Sequence, residues 1–133
     1  MKRILLGLLF ALSAVPILTF LTSAVQHDEV LTTENGVTII NTTELTRDVK
    51  GFKGTTPVKI YIKNNKVIRV EALPNRETPK FFERAKAILA AWEGRPVAKA
   101  AKTEPDAVSG ATFSSNALIK NVQAGLAYYK KKK

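Results

Sequence analysis

An apolar segment opens the chain. No charged residue occurs from Ile4 to Leu21, a length just sufficient to cross a bilayer, and a helix built from it is apolar on every face, unlike a core helix. The small residues Thr22–Ala24 also suit the cleavage site of a signal peptide. Residues 1–25 are therefore predicted to form either a membrane anchor, which we favour, or a signal peptide. The preceding Lys2-Arg3 pair predicts a cytoplasmic N-terminus and an extracytoplasmic remainder.

Strand patterns follow this segment. Residues 26–48 are predicted to form a polar spacer and then a first strand at Gly36–Asn41, which is rich in β-branched residues. Apolar and polar residues alternate in Val58–Ile62, which predicts a half-buried strand, and Val67–Leu73 is the predicted return strand. The Asn64-Asn65 pair between them suits a turn because Asn tolerates left-handed backbone angles. These two strands therefore predict a β-hairpin.

The alternation along the return strand assigns its side chains to two faces. Side chains on a strand point to opposite faces in turn. Ile68, Val70 and Ala72 are thus expected to share one face, and Arg69 and Glu71 the other.

Two amphipathic helices are predicted after the hairpin. Thr78 can cap the first, Pro79 is tolerated at its first position, and Gly94 suits its end. The second is predicted from Ser114 to Tyr129. Apolar residues recur at helical spacing in both and are interpreted as core packing: Phe81, Phe82, Ala85, Ile88, Leu89 and Trp92 in the first, and Leu118, Val122, Leu126 and Tyr129 in the second. The expected fold is α+β: a small antiparallel sheet packed by these two helices and preceded by an N-terminal apolar helix.

The composition limits the kinds of metal and cofactor site that the chain can form. The 133 residues suit one folded domain, predicted at 49–133 and ending in a basic tail, Lys130–Lys133, that is expected to be solvated. The chain has no cysteine, which excludes disulfides, thiolate-held iron–sulfur clusters and a cysteine nucleophile. With His27 as its single histidine, a histidine-rich metal or haem site is not expected. Redox chemistry would therefore need an organic cofactor.

The net charge of +10 allows several kinds of anionic partner. A basic chain can bind nucleic acid, anionic lipid, an acidic protein or a phosphorylated ligand. The charges are spread along the chain, apart from the C-terminal tail, and no zinc-finger or RNA-binding aromatic motif is present. No nucleic-acid partner is expected.

The stretch Asp106–Ser115 carries the most informative chemistry. Most of its residues are small or bear a hydroxyl, and it leads into the last predicted helix. Gly110 allows close approach of a ligand to the backbone, and Ser or Thr can cap a helix start. A helix start also suits a phosphate, since it presents unpaired N–H groups and the positive end of the helix dipole. The same composition is typical of a simple turn and cap, so the residues alone leave both interpretations open.

The segment Asp106-Ala-Val-Ser-Gly-Ala-Thr112 resembles the D-x-x-[S/T]-G-A-T motif of the FMN-binding domain family. That family includes flavin-carrying components of the sodium-pumping NADH:quinone oxidoreductase and of the Rnf complex. The resemblance implies that Thr112 is esterified to the phosphate of FMN by a flavin transferase. It further implies that Ser109, Gly110 and Ala111 hold the phosphate through backbone N–H groups. Asp106 would serve in recognition by the transferase or in fixing the loop.

Two more segments extend the resemblance over about 49–129. They are Gly51-Phe-Lys-Gly54 before the hairpin and Glu77-Thr-Pro79 at the helix start. Glu77 and Thr78 are implied to line the flavin site. The aromatic residues of the first helix could also contact the flavin ring, although core packing is the favoured interpretation. Lys80 departs from the pattern, because the family often has Gly after Glu-Thr-Pro. Ser114 is a further candidate for cofactor binding and, with Ser109, an alternative attachment site.

The resemblance implies an electron carrier rather than a stand-alone enzyme, and the N-terminal segment predicts that it lies outside the cytoplasm. It would bind FMN, exchange electrons with a membrane redox partner, and be held at the membrane by its N-terminal segment. Two alternatives stay open. One is a reductase that binds FMN without a covalent bond and acts on its own substrate; the other is a flavin-free exported module that binds an anion.

Overall fold

A four-stranded antiparallel sheet forms the base of the fold in the computed structural model, which describes residues 29–133. The strands follow one another in chain order across the sheet. They are β1 (Leu31–Glu34), β2 (Val37–Asn41), β3 (Val58–Lys63) and β4 (Lys66–Ala72). The α+β class and the antiparallel sheet are as predicted. The predicted N-terminal apolar helix lies outside the described residues.

Helical segments pack against this sheet and against one another. The elements are α1 (Pro79–Lys86), which continues as a 3-10 turn (Ala87–Ala91), then a short α2 (Val97–Ala100), and α3 (Thr112–Lys132). As predicted, Pro79 occupies the first turn of α1, and Gly94 follows the end of the 3-10 turn with φ +84°. The short α2 was not predicted. Within residues 29–133, no helix has both the length and the apolarity needed to cross a membrane.

The sheet has one strand more than the sequence predicts. Leu31–Glu34 falls in the stretch interpreted as spacer, yet it pairs with β2 through a turn at Asn35 and Gly36, whose φ values are +52° and +79°. Three of its four residues are exposed, so this edge strand has no apolar alternation from which it could be predicted.

A β-bulge changes the face assignment on β4. The register shifts between Tyr61 and Ile62, so that Ile62 pairs with Val67 while Tyr61 pairs with Arg69. The intervening Ile68 has no partner in this register and is 45% exposed, whereas Val67 and Val70 are both buried. The predicted placement of Ile68 on the face of Val70 is therefore wrong, because the extra residue resets the alternation.

The core lies between the sheet and the helical segments, and α3 contributes a large part of it. Leu118, Val122 and Leu126 are fully buried as predicted, while Tyr129 is only partly buried. Gly125 lets the helix approach the sheet closely: a Cβ at this position would lie 2.5 Å from Cδ1 of Ile60. α3 therefore lies so close to the sheet that a side chain at residue 125 would force Ile60 or the helix to shift.

A buried asparagine fixes α3 against the segment that follows β2. Oδ1 of Asn121 accepts hydrogen bonds from the hydroxyls of Thr42 (2.6 Å) and Thr46 (2.5 Å). Its Nδ2 donates to the carbonyl of Ala117 (2.9 Å) and the hydroxyl of Thr56 (3.4 Å). With its polar atoms bonded in this way, Asn121 can be fully buried, and it fixes the rotation of α3 over the sheet.

Candidate functional site

An open cavity of about 180 Å³ lies where the start of α3 meets the start of α1 and the loop 51–54. Three separate parts of the chain thus contribute to one cavity, and the loop 51–54 joins it although no residue of that loop was predicted to belong to the site. The lining residues are Phe52, Thr78, Phe81, Gly110, Ala111, Thr112, Phe113 and Ser114.

The loop before α3 closes in a tight turn. The N–H of Ala111 donates to the carbonyl of Val108 (2.9 Å), and Gly110 has φ +83°. A positive φ at the third position of such a turn favours glycine. The hydroxyl of Ser115 accepts a hydrogen bond from the N–H of Val108 (3.0 Å). Hydrogen bonds inside the loop and to Ser115 therefore hold the turn, and Ser109 and Gly110 are exposed at the surface.

α3 begins without the side-chain cap that the sequence predicts. Its N-cap residue is Ala111, and no side-chain hydrogen bond caps the helix. Thr112 is the first helical residue and is exposed. Because the first N–H groups of a helix have no partner within the helix, this end of a 21-residue helix suits an anion. The N–H of Ala111 already donates to the carbonyl of Val108, so this N–H is not available to a phosphate, contrary to what the resemblance implies for Ala111.

Three phenylalanine side chains surround the cavity and are unusually exposed. Phe52 is 67% exposed, Phe113 65% and Phe81 41%. The rings of Phe52 and Phe113 lie 6.0 Å apart between centroids, at an interplanar angle of 33°. Exposed apolar clusters of this kind mark binding sites. The interpretation of Phe81 as a core residue is wrong, whereas its neighbour Phe82 is buried as predicted.

Glu77 is a buried carboxylate next to this cavity. Its side chain is only 5% exposed. Oε1 accepts hydrogen bonds from the N–H of Phe52 (2.8 Å) and from the hydroxyl of Ser114, and Oε2 accepts from the N–H groups of Lys53 (2.5 Å) and Gly54 (3.1 Å). Glu77 contacts lining residues without belonging to the cavity wall itself, while the adjacent Thr78 does line the cavity. One carboxylate therefore ties the loop 51–54 to the start of α3.

The protonation of Glu77 follows from these contacts. Burial by itself raises the pKa of this carboxyl group, since the charged form loses hydration. The Ser114 hydroxyl and the N–H groups of Phe52, Lys53 and Gly54 stabilise the anion, and together they lower the pKa below its ordinary value. Glu77 is therefore an anion at neutral pH, and its carboxylate accepts hydrogen bonds from the loop 51–54 and from Ser114.

Arg84 contacts the loop of the site without lining the cavity, and the sequence did not identify it as a candidate. It lies on α1, and its Nη2 donates to the carbonyl of Ser109 across 3.3 Å. A Cβ at Gly110 would lie 3.0 Å from the same nitrogen. The available sequence signal was the helical spacing of the apolar Phe82 and Ala85, which leaves Arg84 outside the apolar face and predicts that it is exposed.

The other predicted site residues take different positions. Ser114 is 4% exposed and its hydroxyl is bonded to Glu77. Asp106 is exposed on the loop that leads to Ser109 and does not belong to the residues that line the cavity. Among the described residues, no group of His, Cys, Asp and Glu side chains could hold a metal ion.

Comparison with known families identifies one match. The model of a family described as FMN-binding domain matches residues 51–127, more than half of the chain. A search of curated proteins and a search of solved structures gave no match. The matched range contains all three segments that form the cavity.

Proposed function

Because the chain belongs to the FMN-binding domain family, we propose that it is an extracytoplasmic electron-transfer protein that carries its FMN on Thr112. FMN is the cofactor of this domain. The covalent attachment, the location and the electron-transfer role are the parts that we propose.

The residues around the cavity fit both parts of FMN. The phosphate matches the start of α3 and the exposed Gly110, where the backbone is open to a ligand. The apolar ring system matches the exposed rings of Phe52, Phe81 and Phe113. A site with an anion-binding end and an aromatic end supports FMN binding on physical grounds.

The exposure of the hydroxyl residues carries the proposal for Thr112. Four residues in or next to the motif bear hydroxyls: Ser109, Thr112, Ser114 and Ser115. Ser114 and Ser115 are buried, and their hydroxyls are bonded to Glu77 and to the N–H of Val108. Thr112 is exposed, lines the cavity and stands at the helix end that suits an anion. Ser109 is also exposed but is not among the residues that line the cavity.

The proposed linkage is a phosphate ester. A bond forms between Oγ1 of Thr112 and the phosphorus of an activated FMN donor, the P–O bond between that phosphorus and the donor's leaving group breaks, and the hydroxyl proton is transferred to the leaving group. Relative to the chain plus free FMN, the product has lost one water. A flavin transferase is the expected catalyst. Its approach requires an exposed acceptor, which Thr112 provides.

Electron transfer depends on the chemistry that FMN supplies when bound, which covers one- and two-electron steps. The residues of this chain would bind and orient the cofactor: the three phenylalanines would contact its apolar ring, and Glu77 holds Phe52 and Ser114 in place. The cavity is open at the surface, which suits exchange with a membrane redox partner. The apolar segment at residues 1–25 supports an extracytoplasmic, membrane-held location.

The intact mass of the full chain, co-produced with a flavin transferase, tests this proposal. We expect a gain equal to FMN minus one water, which is absent in Thr112→Ala and retained in Ser109→Ala. A gain that persists in Thr112→Ala and disappears in Ser109→Ala would move the attachment site. A yellow protein without a mass gain would overturn covalent attachment and favour a non-covalent flavoprotein, and a colourless protein without a gain would overturn the redox function.

A further inference from the structure

The guanidinium of Arg84 lies over the cofactor loop. Its Nη2 contacts the carbonyl of Ser109 (3.3 Å) and faces the bare Cα of Gly110, where a Cβ would lie 3.0 Å away. Consecutive Cα atoms are about 3.8 Å apart, so the Cα of Thr112 lies within roughly 8 Å of that of Gly110. An arginine on α1 is thus held next to the first turn of α3.

Most of the N–H groups of Arg84 are not used by its hydrogen bond to Ser109. A guanidinium carries five N–H groups, and a single hydrogen bond to Ser109 uses one of them. Within residues 29–133, Arg47 and Arg69 each form an ion pair with a carboxylate, while no carboxylate lies within ion-pair distance of Arg84. Its charge is therefore not neutralised by an acid in the described part of the chain.

We propose that Arg84 binds the phosphate group of FMN and makes the site select phosphorylated over unphosphorylated flavin. This inference rests on the proposed FMN site at the start of α3. A phosphate, free or esterified, presents non-bridging oxygens that match the planar fork of a guanidinium. The helix start would supply N–H groups to this phosphate, and Arg84 would supply a full positive charge.

Gly110 contributes to the same proposed phosphate site. With φ +83° and no side chain, it lets the guanidinium lie close to the backbone of the loop. The hydrogen bond to the Ser109 carbonyl orients Arg84 before the cofactor binds. Less side-chain freedom is then lost on binding.

The two roles of Arg84, binding phosphate and fixing the loop, are separated by comparing two flavins. The protein is produced without a flavin transferase and titrated with FMN and with riboflavin, which lacks the phosphate. The variants are Arg84→Gln, Arg84→Lys and Arg69→Gln, an exposed arginine on β4 that controls for the loss of one positive charge.

We expect Arg84→Gln to weaken FMN binding by about three- to tenfold, the range for a partly exposed charge-assisted contact. Riboflavin binding should change less than about twofold, because it has no phosphate to lose a contact. Arg84→Lys should fall between wild type and Arg84→Gln, and Arg69→Gln should bind both flavins like wild type. Added salt should weaken FMN binding in the wild type more than in Arg84→Gln.

Equal losses for FMN and riboflavin would show that Arg84 only holds the loop, and no loss for either would remove it from the site. A wild type that binds FMN no better than riboflavin would also overturn the inference. The intact-mass experiment reports separately on the proposed function. Covalent loading without a phosphate preference would leave that function standing, and a phosphate preference without loading would overturn only the covalent linkage.

Discussion

The backbone of Gly51 lies directly against the carboxylate of Glu77. A Cβ at residue 51 would lie 2.4 Å from Oε1 of Glu77. Without that side chain, the loop can wrap around the carboxylate so that the N–H groups of Phe52, Lys53 and Gly54 all point at it. The exposed ring of Phe52 is thereby fixed at the cavity by a buried anion from a distant part of the sequence.

This contact predicts that Gly51→Ala destabilises the protein. The added methyl group must displace either the carboxylate or the loop, which we expect to lower the free energy of unfolding by about 1–3 kcal/mol. Gly54→Ala is the matched control, since its Cβ would meet nothing closer than Cβ of Arg76 at 4.0 Å. Denaturant unfolding of both variants measures the difference, and equal stabilities would contradict the role assigned to Gly51.

Glu77→Gln is expected to reduce stability in a pH-dependent way. The amide would place an N–H₂ group against backbone donors, which should cost about 1–3 kcal/mol at pH 7. Because the pKa of Glu77 is lowered in the folded protein, its contribution is present above the unfolded pKa of about 4.3 and is lost as the pH falls through the folded value.

The difference between wild type and Glu77→Gln should therefore be constant near neutral pH and should shrink on acidification below about pH 4. Unfolding curves at pH 7 and at lower pH measure it. The exposed Glu104 provides the control, since Glu104→Gln should change stability little at either pH. A difference that grows on acidification would contradict the assigned hydrogen bonds.

The exposed rings of Phe52 and Phe113 are expected to bind the flavin ring. Phe52→Ser and Phe113→Ser should each weaken riboflavin binding by roughly three- to tenfold, the effect of losing one aromatic contact. Ile68→Ser removes a similarly exposed apolar side chain, 45% exposed on β4, and should leave the affinity unchanged. Fluorescence titration compares the three, and an equal effect of Ile68→Ser would indicate non-specific binding.

The close approach of α3 to the sheet predicts that Gly125→Val is strongly destabilising. The new side chain would overlap Cδ1 of Ile60 and Cγ2 of Thr42, which lie 2.5 Å and 3.0 Å from the Cβ position. We expect a loss of about 1–3 kcal/mol or more. Ala127→Val places the same side chain at an exposed position of the helix and should cost less than about 1 kcal/mol. Similar melting temperatures for both would contradict the packing.

Several elements followed from the sequence because their signals are local. The hairpin of β3 and β4 is marked by alternation around Asn64 and Asn65, both of which have positive φ, +52° and +59°. Gly94 marks a helix end through a preference of the backbone itself. The motif ending at Thr112 predicted the family that the comparison identifies.

The residues that the sequence assigned wrongly are those whose exposure or strand pairing depends on residues far along the chain. Ile68 is exposed because β4 is bulged against β3, and Phe81 is exposed because it lines a cavity made by three segments. The strand Leu31–Glu34 forms because β2 offers it an edge. A short-range pattern carries no information on such partners.

The amino-acid sequence was sufficient for the α+β class, the hairpin, the two main helices and the cofactor family. These depend on backbone preferences, on periodicity and on a contiguous motif, all of which act over a few residues. The folded chain was needed to show that Glu77 anchors the loop of Phe52, that Thr112 is more exposed than Ser114, and that Arg84 lies over Gly110. The contacts behind these findings join residues more than 20 positions apart, and they come within contact distance because α1 packs against α3 and α3 packs on the sheet.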